Sequence, residues 1–274
     1  MSNKFKLGVA GSPIEHSLSP FIHSRFAKQE KINLSYMPFK VEPNNFNSFV
    51  ADFFADPLAR GLNITLPLKN LAAGIPGNIS KEAKHLQAVN TIIKIDNILS
   101  LESTDGIGFM EDLRSKNISI SGKNILILGA GAAVQSILYK LVMDRPSTIS
   151  ILNRSQEKAE TLVNKYNEHV KIGSNLKEDI YYDLVINGSS AGLTGEFIAP
   201  EGIKFSRLVC FYDLNYSLES TPFCSWAIEY SPQVFDGIGM LIYQAAQSFK
   251  LWFWKIPSTE NIFNDITNLN GRKS

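Results

Sequence analysis

Short apolar runs alternate with segments of helical period along the whole chain. Lys4–Gly11, Leu34–Val41 and Arg60–Ile64 read as strands. Between them, Ser19 followed by Pro20 is an N-cap followed by proline at the first helical position, which predicts a helix over Pro20–Glu30. Asn45–Phe54 is predicted helical because Phe46, Phe49, Val50 and Phe53 share one face. A helix over Asn78–Gln87 follows. Two strands, Val89–Ile95 and Ile98–Leu101, then flank the turn signal Asp96-Asn97. Thr104-Asp105-Gly106 leads into a helix over Ile107–Lys116.

Further on, Asn124–Leu128 is a buried strand that runs into a glycine turn and a helix ending near Met143. Thr148–Leu152, Asp183–Asn187 and Arg207–Asp213 are the next strands, and Gly188–Gly192 is a loop of small residues. Pro222–Tyr230 reads as a helix, Gln233–Phe235 as a short strand, and a long apolar helix opens at Asp236 and runs to about Trp254. Gly271–Ser274 is expected to fray. Strands and helices alternating in this way predict an α/β layer structure.

At 274 residues the chain is long for one core and comfortable for two. A formal net charge of +1 gives no electrostatic reason to expect nucleic acid or an anionic membrane as partner. No run approaches the ~20 apolar residues of a membrane span, and no N-terminal secretion signal stands out. Cys210 and Cys224 suit a reducing compartment, and a soluble cytoplasmic protein is the expectation. His16, His23, His85 and His169 show no metal-ligand spacing, so no metal is expected.

The candidate chemistry starts at Asn63-Ile64-Thr65-Leu66-Pro67-Leu68-Lys69. In an extended segment Asn63 and Thr65 point the same way, and Pro67 can turn the chain so that Lys69 comes back toward them. An amine held beside neutral polar groups can transfer a proton; the plainer alternative is a solvated lysine after a strand. Ser17 and Ser19 beside a helix N-terminus suit a small carboxylate, although Ser19 could simply cap the helix. Asp105 is either a helix cap or a carboxylate aimed into a cleft. Gln244 sits one turn beyond Met240 on the long helix, where glutamine is either surface or site.

Gly129-Ala130-Gly131-Ala132-Ala133-Val134 follows a strand and opens a helix, the order a dinucleotide-binding unit requires. Gly129 permits the tight turn and Gly131 a close approach of pyrophosphate, while Val134 stands where a third glycine would be. At the end of the next strand an NAD-binding unit would carry an acid. This chain has Asn153-Arg154-Ser155 and then Lys158, which favour a ribose phosphate and so NADP. Tyr212, Asp213 and Tyr216 lie at the C-terminal end of a strand, where ligands of open parallel sheets bind.

These stretches, together with Ser17-Leu18-Ser19-Pro20, Ala88-Val89-Asn90-Thr91, Tyr212-Asp213-Leu214-Asn215-Tyr216 and Asp236-Gly237-Ile238-Gly239-Met240, resemble the shikimate dehydrogenase family, in its order and over nearly the whole chain. The resemblance implies an α/β substrate domain, residues 1–104 plus 238–274. A doubly wound Rossmann domain, residues 105–237, would be inserted into it, with a cleft between the two. It also implies NADPH-dependent, reversible reduction of 3-dehydroshikimate to shikimate by a monomer or homodimer. Lys69 and Asp105 would be the catalytic pair. Ser17, Ser19 and Tyr216 would hold the substrate carboxylate, and Thr65, Asn90, Asp105 and Gln244 the ring hydroxyls, with Asn63 in support. Gly129, Ala130, Gly131, Ala132, Ala133, Asn153, Arg154, Ser155, Lys158, Leu214 and Gly237 would take NADP(H). Departures stand at Ala132 and Gln87, where the family often has glycine, at Leu214, often methionine, and at Leu68, commonly phenylalanine. The rivals are a quinate/shikimate dehydrogenase with broader substrate or NAD use and a non-catalytic NADPH- or metabolite-sensing regulator.

Overall fold

A computed structural model of the chain describes residues 4–166, 170–172, 179–189 and 197–270. The expected fraying of Gly271–Ser274, residues 190–192 of the small-residue loop, and His169 lie outside the described residues. In chain order the elements are β1 Phe5–Gly11, α1 Ser19–Glu30, β2 Leu34–Lys40, α2 Phe46–Ala55, β3 Ala59–Ile64, α3 Lys69–Ala72, β4 Asn78–Ile79, α4 Lys81–Leu86, β5 Thr91–Ile95, β6 Ile98–Glu102 and α5 Asp105–Ser115. They continue with β7 Asn124–Leu128, α6 Ala132–Met143, β8 Thr148–Leu152, α7 Gln156–Lys165, β9 Val170–Ile172, β10 Tyr181–Asn187, β11 Lys204–Asp213, α8 Pro222–Ala227, β12 Val234–Phe235, α9 Ile238–Phe253 and α10 Glu260–Asn270.

The chain divides into two compact units, Met1–Gly108 with Leu241–Asn268, and Phe109–Met240 with Leu269–Ser274. The first holds a mixed sheet of order β2-β1-β3-β5-β6-β4. Its β1 pairs in parallel with β2 and β3, whereas β5 runs antiparallel to β3 and β6. The Asp96-Asn97 turn between β5 and β6 has positive φ at both residues, 47° and 64°, the conformation of a tight two-residue hairpin. Trp252 of α9 anchors to this sheet: its indole fills the space above Gly61 and donates to the Ile92 carbonyl at 3.0 Å.

The second unit holds an all-parallel sheet of order β12-β11-β10-β7-β8-β9. Read from its far edge, this is the doubly wound 3-2-1-4-5-6 order of dinucleotide-binding folds. Its central strands carry unbroken apolar runs such as Ile125–Leu128 because helices cover both faces.

Several local expectations are corrected. Asn78 and Ile79 do not start a helix; they pair with Ser100 and Leu101. The helix begins after Ser80, whose hydroxyl accepts from Ala83 N–H at 3.2 Å. It ends at Gln87, whose φ of 54° is left-handed, which explains why glycine suits this position. Ser19 is the first residue of α1 and not its cap; Leu18 precedes it, with no side-chain cap bond. Asp236 likewise lies ahead of α9, accepting from Ile238 N–H at 3.1 Å. The helices α3, α7 and α10 were not expected in full. α3 is too short to show an apolar period, whereas α7 and α10 carry one, Ile262, Phe263 and Ile266 in α10, within a largely polar composition, and the sequence reading passed over it.

Candidate functional site

The first unit brings five of the expected residues into one hydrogen-bonded cluster. Lys69 occupies the first turn of α3, and its ammonium donates to Asp105 Oδ2 at 2.7 Å. The side chains are 16% and 9% exposed, so the pair is largely shielded yet still open on the lysine side. Asp105 is the first residue of α5, so its backbone position is that of a helix start while its carboxylate is spent on partners from other elements. Asn90 Nδ2 donates to the second oxygen, Asp105 Oδ1, at 2.9 Å and also to Thr104 Oγ1 at 2.9 Å. Gln244 Oε1 stands 3.5 Å from the same amide, and its own amide donates to the Leu241 carbonyl at 2.9 Å. Gly108 makes room for this stretch of α9, because a Cβ there would lie 2.6 Å from the Gln244 backbone nitrogen. An ammonium has three N–H donors and Asp105 takes one.

Beneath this pair lies a layer of neutral polar groups. Asn63 Nδ2 donates to the Asn90 carbonyl, Thr91 Oγ1 and Ser248 Oγ at 2.9–3.1 Å. Its Oδ1 accepts from the Tyr36 hydroxyl at 2.8 Å. Burial raises the Tyr36 phenol well above its ordinary value, opposed by a hydrogen bond with Ser19. His23 stacks on Tyr36 with centroids 4.3 Å apart, and neither ring nitrogen has a hydrogen-bond partner among the described residues. Burial pushes the imidazole down to about 3, with the Asn63 side chain acting the other way. His23 is therefore a neutral packing group.

Sequence reasoning assigned no role to Tyr36, Thr91, Thr104 or Ser248. Ser248 follows Gln244 by four residues and so shares its face of a largely apolar helix, a signal that could have found it. Of the remaining candidates of this unit, Ser19 touches the edge of this layer through its hydrogen bond with Tyr36. Thr65 is half-buried; its amide donates to the Ala10 carbonyl and its carbonyl accepts from Leu68. Ser17 Oγ accepts from Ser19 N–H at 3.3 Å, and Ser19 is buried at the start of α1.

The second unit places the glycine turn between β7 and α6. Gly129 has φ of 107°, and a Cβ there would lie 2.8 Å from Ser189 N, so both backbone shape and space demand glycine. A Cβ on Gly131 would meet only the Gly188 oxygen at 3.8 Å, so the approach to that backbone is open. Gly131 precedes α6 without a side-chain cap, which leaves the first amides of the helix, among them those of Ala132 and Ala133, for another acceptor. Both features fit a pyrophosphate. Val134, in place of a third glycine, is accommodated because Gly188 lacks a side chain: a Cβ on Gly188 would lie 2.4 Å from Val134 Cγ2.

At the C-terminal end of β8, Arg154, Ser155 and Lys158 are exposed, and Asn153 Nδ2 donates to the Ser155 carbonyl at 2.8 Å. Leu214 N–H donates to the Asn187 carbonyl at 2.8 Å, and Gly237 N–H to the Asn215 carbonyl at 2.9 Å. Tyr216 is exposed in this unit. Asp213 is buried. Its carboxyl is raised by burial, against hydrogen bonds from Thr221, Asn215 and Asn187. Among the described residues no group of three or more potential metal ligands occurs, and no helix is long and apolar enough to cross a membrane.

Residues 9–92 match the family model described as the shikimate dehydrogenase substrate binding domain. Residues 112–194 match that of shikimate / quinate 5-dehydrogenase, and residues 237–259 that of the shikimate 5'-dehydrogenase C-terminal domain. The chain is 40% identical over 273 residues to a protein of Methylococcus capsulatus named shikimate dehydrogenase (NADP(+)), covering 97% of each. A solved shikimate 5-dehydrogenase from Thermus thermophilus, in complex with NADP(H) and shikimate, superposes with a TM-score of 0.85 at 26% identity, covering 98% of this chain and 99% of that one. The Listeria monocytogenes shikimate 5-dehydrogenase, in complex with shikimate and NAD, gives 0.87 at 27% identity, covering 97% of each.

Proposed function

Because this chain belongs to the shikimate dehydrogenase family, we propose that it interconverts 3-dehydroshikimate and shikimate, with Lys69 and Asp105 acting on the reacting oxygen. It is an NADP-dependent oxidoreductase. The observation that carries the assignment of the pair is the shielded ion pair between Lys69 and Asp105, with Asn90 on the second carboxylate oxygen.

NADPH, when bound, supplies the hydride. A carbonyl carbon that receives hydride leaves an alkoxide, which must gain a proton as it forms. Lys69 holds that proton at Nζ, and one of its N–H bonds not directed at Asp105 points it to the substrate oxygen. Asp105 fixes the direction of the amine and accepts from the same hydroxyl in the reverse reaction. Asn90, Thr65 and Gln244 hold the ring hydroxyls, and Asn63 supports Asn90 from below. Ser17 and Ser19, at the amide-rich start of α1, take the carboxylate. The first unit is thus the substrate domain and the second the coenzyme domain. There the Gly129–Ala133 turn would hold the pyrophosphate and Asn153, Arg154, Ser155 and Lys158 the ribose phosphate, with Leu214 and Gly237 also taking the coenzyme. Free Cys210 and Cys224 fit the reducing cytoplasm as the place of work.

A quinate- or NAD-using enzyme is the second reading, favoured by the shikimate / quinate family description and by the NAD complex of the Listeria relative. Initial rates at the NADPH absorbance, with shikimate and quinate against NADP and NAD, decide between them. Shikimate with NADP should give the highest kcat/KM, and Arg154→Ala should raise KM for NADP while leaving that for NAD. Equal rates with quinate, or an unchanged ratio of the two Michaelis constants in Arg154→Ala, would reject the corresponding half of this reading.

A further inference from the structure

The mechanism makes no use of Asp213, a carboxylate 1% exposed at the end of β11. The groups that hold it are neutral. Asn187 Nδ2, Asn215 N–H and Asn215 Nδ2 all donate to Oδ1 at 3.0 Å, and Thr221 Oγ1 donates to Oδ2 at 2.7 Å. The partners themselves reach further. Asn187 Oδ1 accepts from both N–H and hydroxyl of Ser189, at 3.2 and 2.7 Å, and Asn215 Nδ2 also donates to the Ser189 carbonyl at 3.0 Å. The backbone of residues 188 and 189 is in turn pressed against Gly129, and Leu214 Cδ1 lies over Gly188. One carboxylate is therefore linked by hydrogen bonds to the 187–189 and 213–215 segments, the first of which lies against the glycine turn after β7.

We propose that Asp213 is a positioning residue for coenzyme: it ties the 187–189 and 213–215 segments together so that they back the glycine turn and present Leu214. This rests on the coenzyme reading given above. A carboxylate suits the task because it only accepts, and three donors converge on a single oxygen. An asparagine at this position has the same shape but turns one acceptor into a donor, which faces Thr221 or the two asparagines.

Titration calorimetry with NADP on the intact chain, alongside shikimate kinetics, tests this. Asp213→Asn should raise the Kd for NADP about tenfold or more, the worth of a mispaired buried polar group, while KM for shikimate stays within about twofold. Asn215→Ala, at a half-buried position, keeps the carboxylate and removes the tie to Ser189. It should shift the NADP Kd in the same direction and serves if Asp213→Asn does not fold. Thr221→Val breaks a bond to the same carboxylate on the α8 side, so it should lower stability without moving the NADP Kd. Native-like NADP binding in folded Asp213→Asn and in Asn215→Ala, or an equal shift in Thr221→Val, would overturn the proposal. A native chain that binds NADP but does not oxidise shikimate would reject the substrate reading alone. One that binds no NADP would reject the coenzyme reading and this proposal with it.

Discussion

Two buried carboxylates, one in each unit, are held in different ways. Asp105 has a mobile cation on one oxygen and a single amide on the other. Asp213 has only neutral donors, three of them anchored to backbone that the same network fixes. An ammonium on a flexible stem can leave its carboxylate and reach another oxygen, which a proton-transfer group must do. Amides and hydroxyls fixed on loops cannot, and they make a carboxylate into scaffold. The chemistry of a buried acid is thus set by how replaceable its partners are, not by its depth.

Removing the cation breaks the contrast most sharply. In Lys69→Met, Asp105 keeps only neutral donors, as Asp213 does. Turnover should fall by roughly 10²-fold or more, the usual worth of a placed acid or base, with KM for shikimate changed far less. Near-normal turnover of the purified variant in a stopped-flow assay would remove Lys69 from its assigned role.

The neutral layer under the first carboxylate makes a smaller claim, on stability. His23 is 0% exposed and titrates near 3 when folded, against about 6.5 unfolded. Above 6.5 the ring is neutral in both states and contributes no pH dependence. As pH falls below 6.5 only the unfolded chain binds the proton, so stability declines until about pH 3. Between pH 7 and pH 5 this group should remove about 2 kcal/mol, seen in urea titrations of the whole chain. His23→Leu should flatten that portion of the profile, and an unchanged slope would mean that the ring is not the group titrating.

The features legible in sequence were those with a local signature. The strand, glycine turn and helix around Gly129 could be read because the turn needs glycine chemistry at fixed positions. Lys69 and Asp105 were legible as types, through the stretches that carry them. Their meeting was implied only by the family resemblance and by no local pattern, since they are 36 residues apart and belong to different helices. Tyr36 stayed hidden because it looks like an ordinary strand residue until the fold brings it to Asn63, whereas Ser248 had its spacing from Gln244 as a signal. Val134 shows the converse. The motif looked broken at that position, and the repair, a glycine at 188, lies on another strand's loop where no local pattern could show it.

The smallest effect separates redundancy from need within the neutral layer. Ser248 Oγ accepts from Asn63, faces Thr91 at 2.8 Å and Thr104 at 3.2 Å, and donates to the Gln244 carbonyl at 3.1 Å. Every one of its side-chain partners has another bond. Asn63 Nδ2 retains the Asn90 carbonyl and Thr91, and Thr91 and Thr104 both retain Asn90 Oδ1. Ser248→Ala also gains helix propensity inside α9, by a few tenths of a kcal/mol. The net loss of stability should be under about 1 kcal/mol and turnover should stay within about threefold of native. A loss like that of Lys69→Met would mean that the hydroxyl, and not Asn63, holds Asn90 against Asp105, and the neutral layer would then belong to the chemistry rather than beneath it.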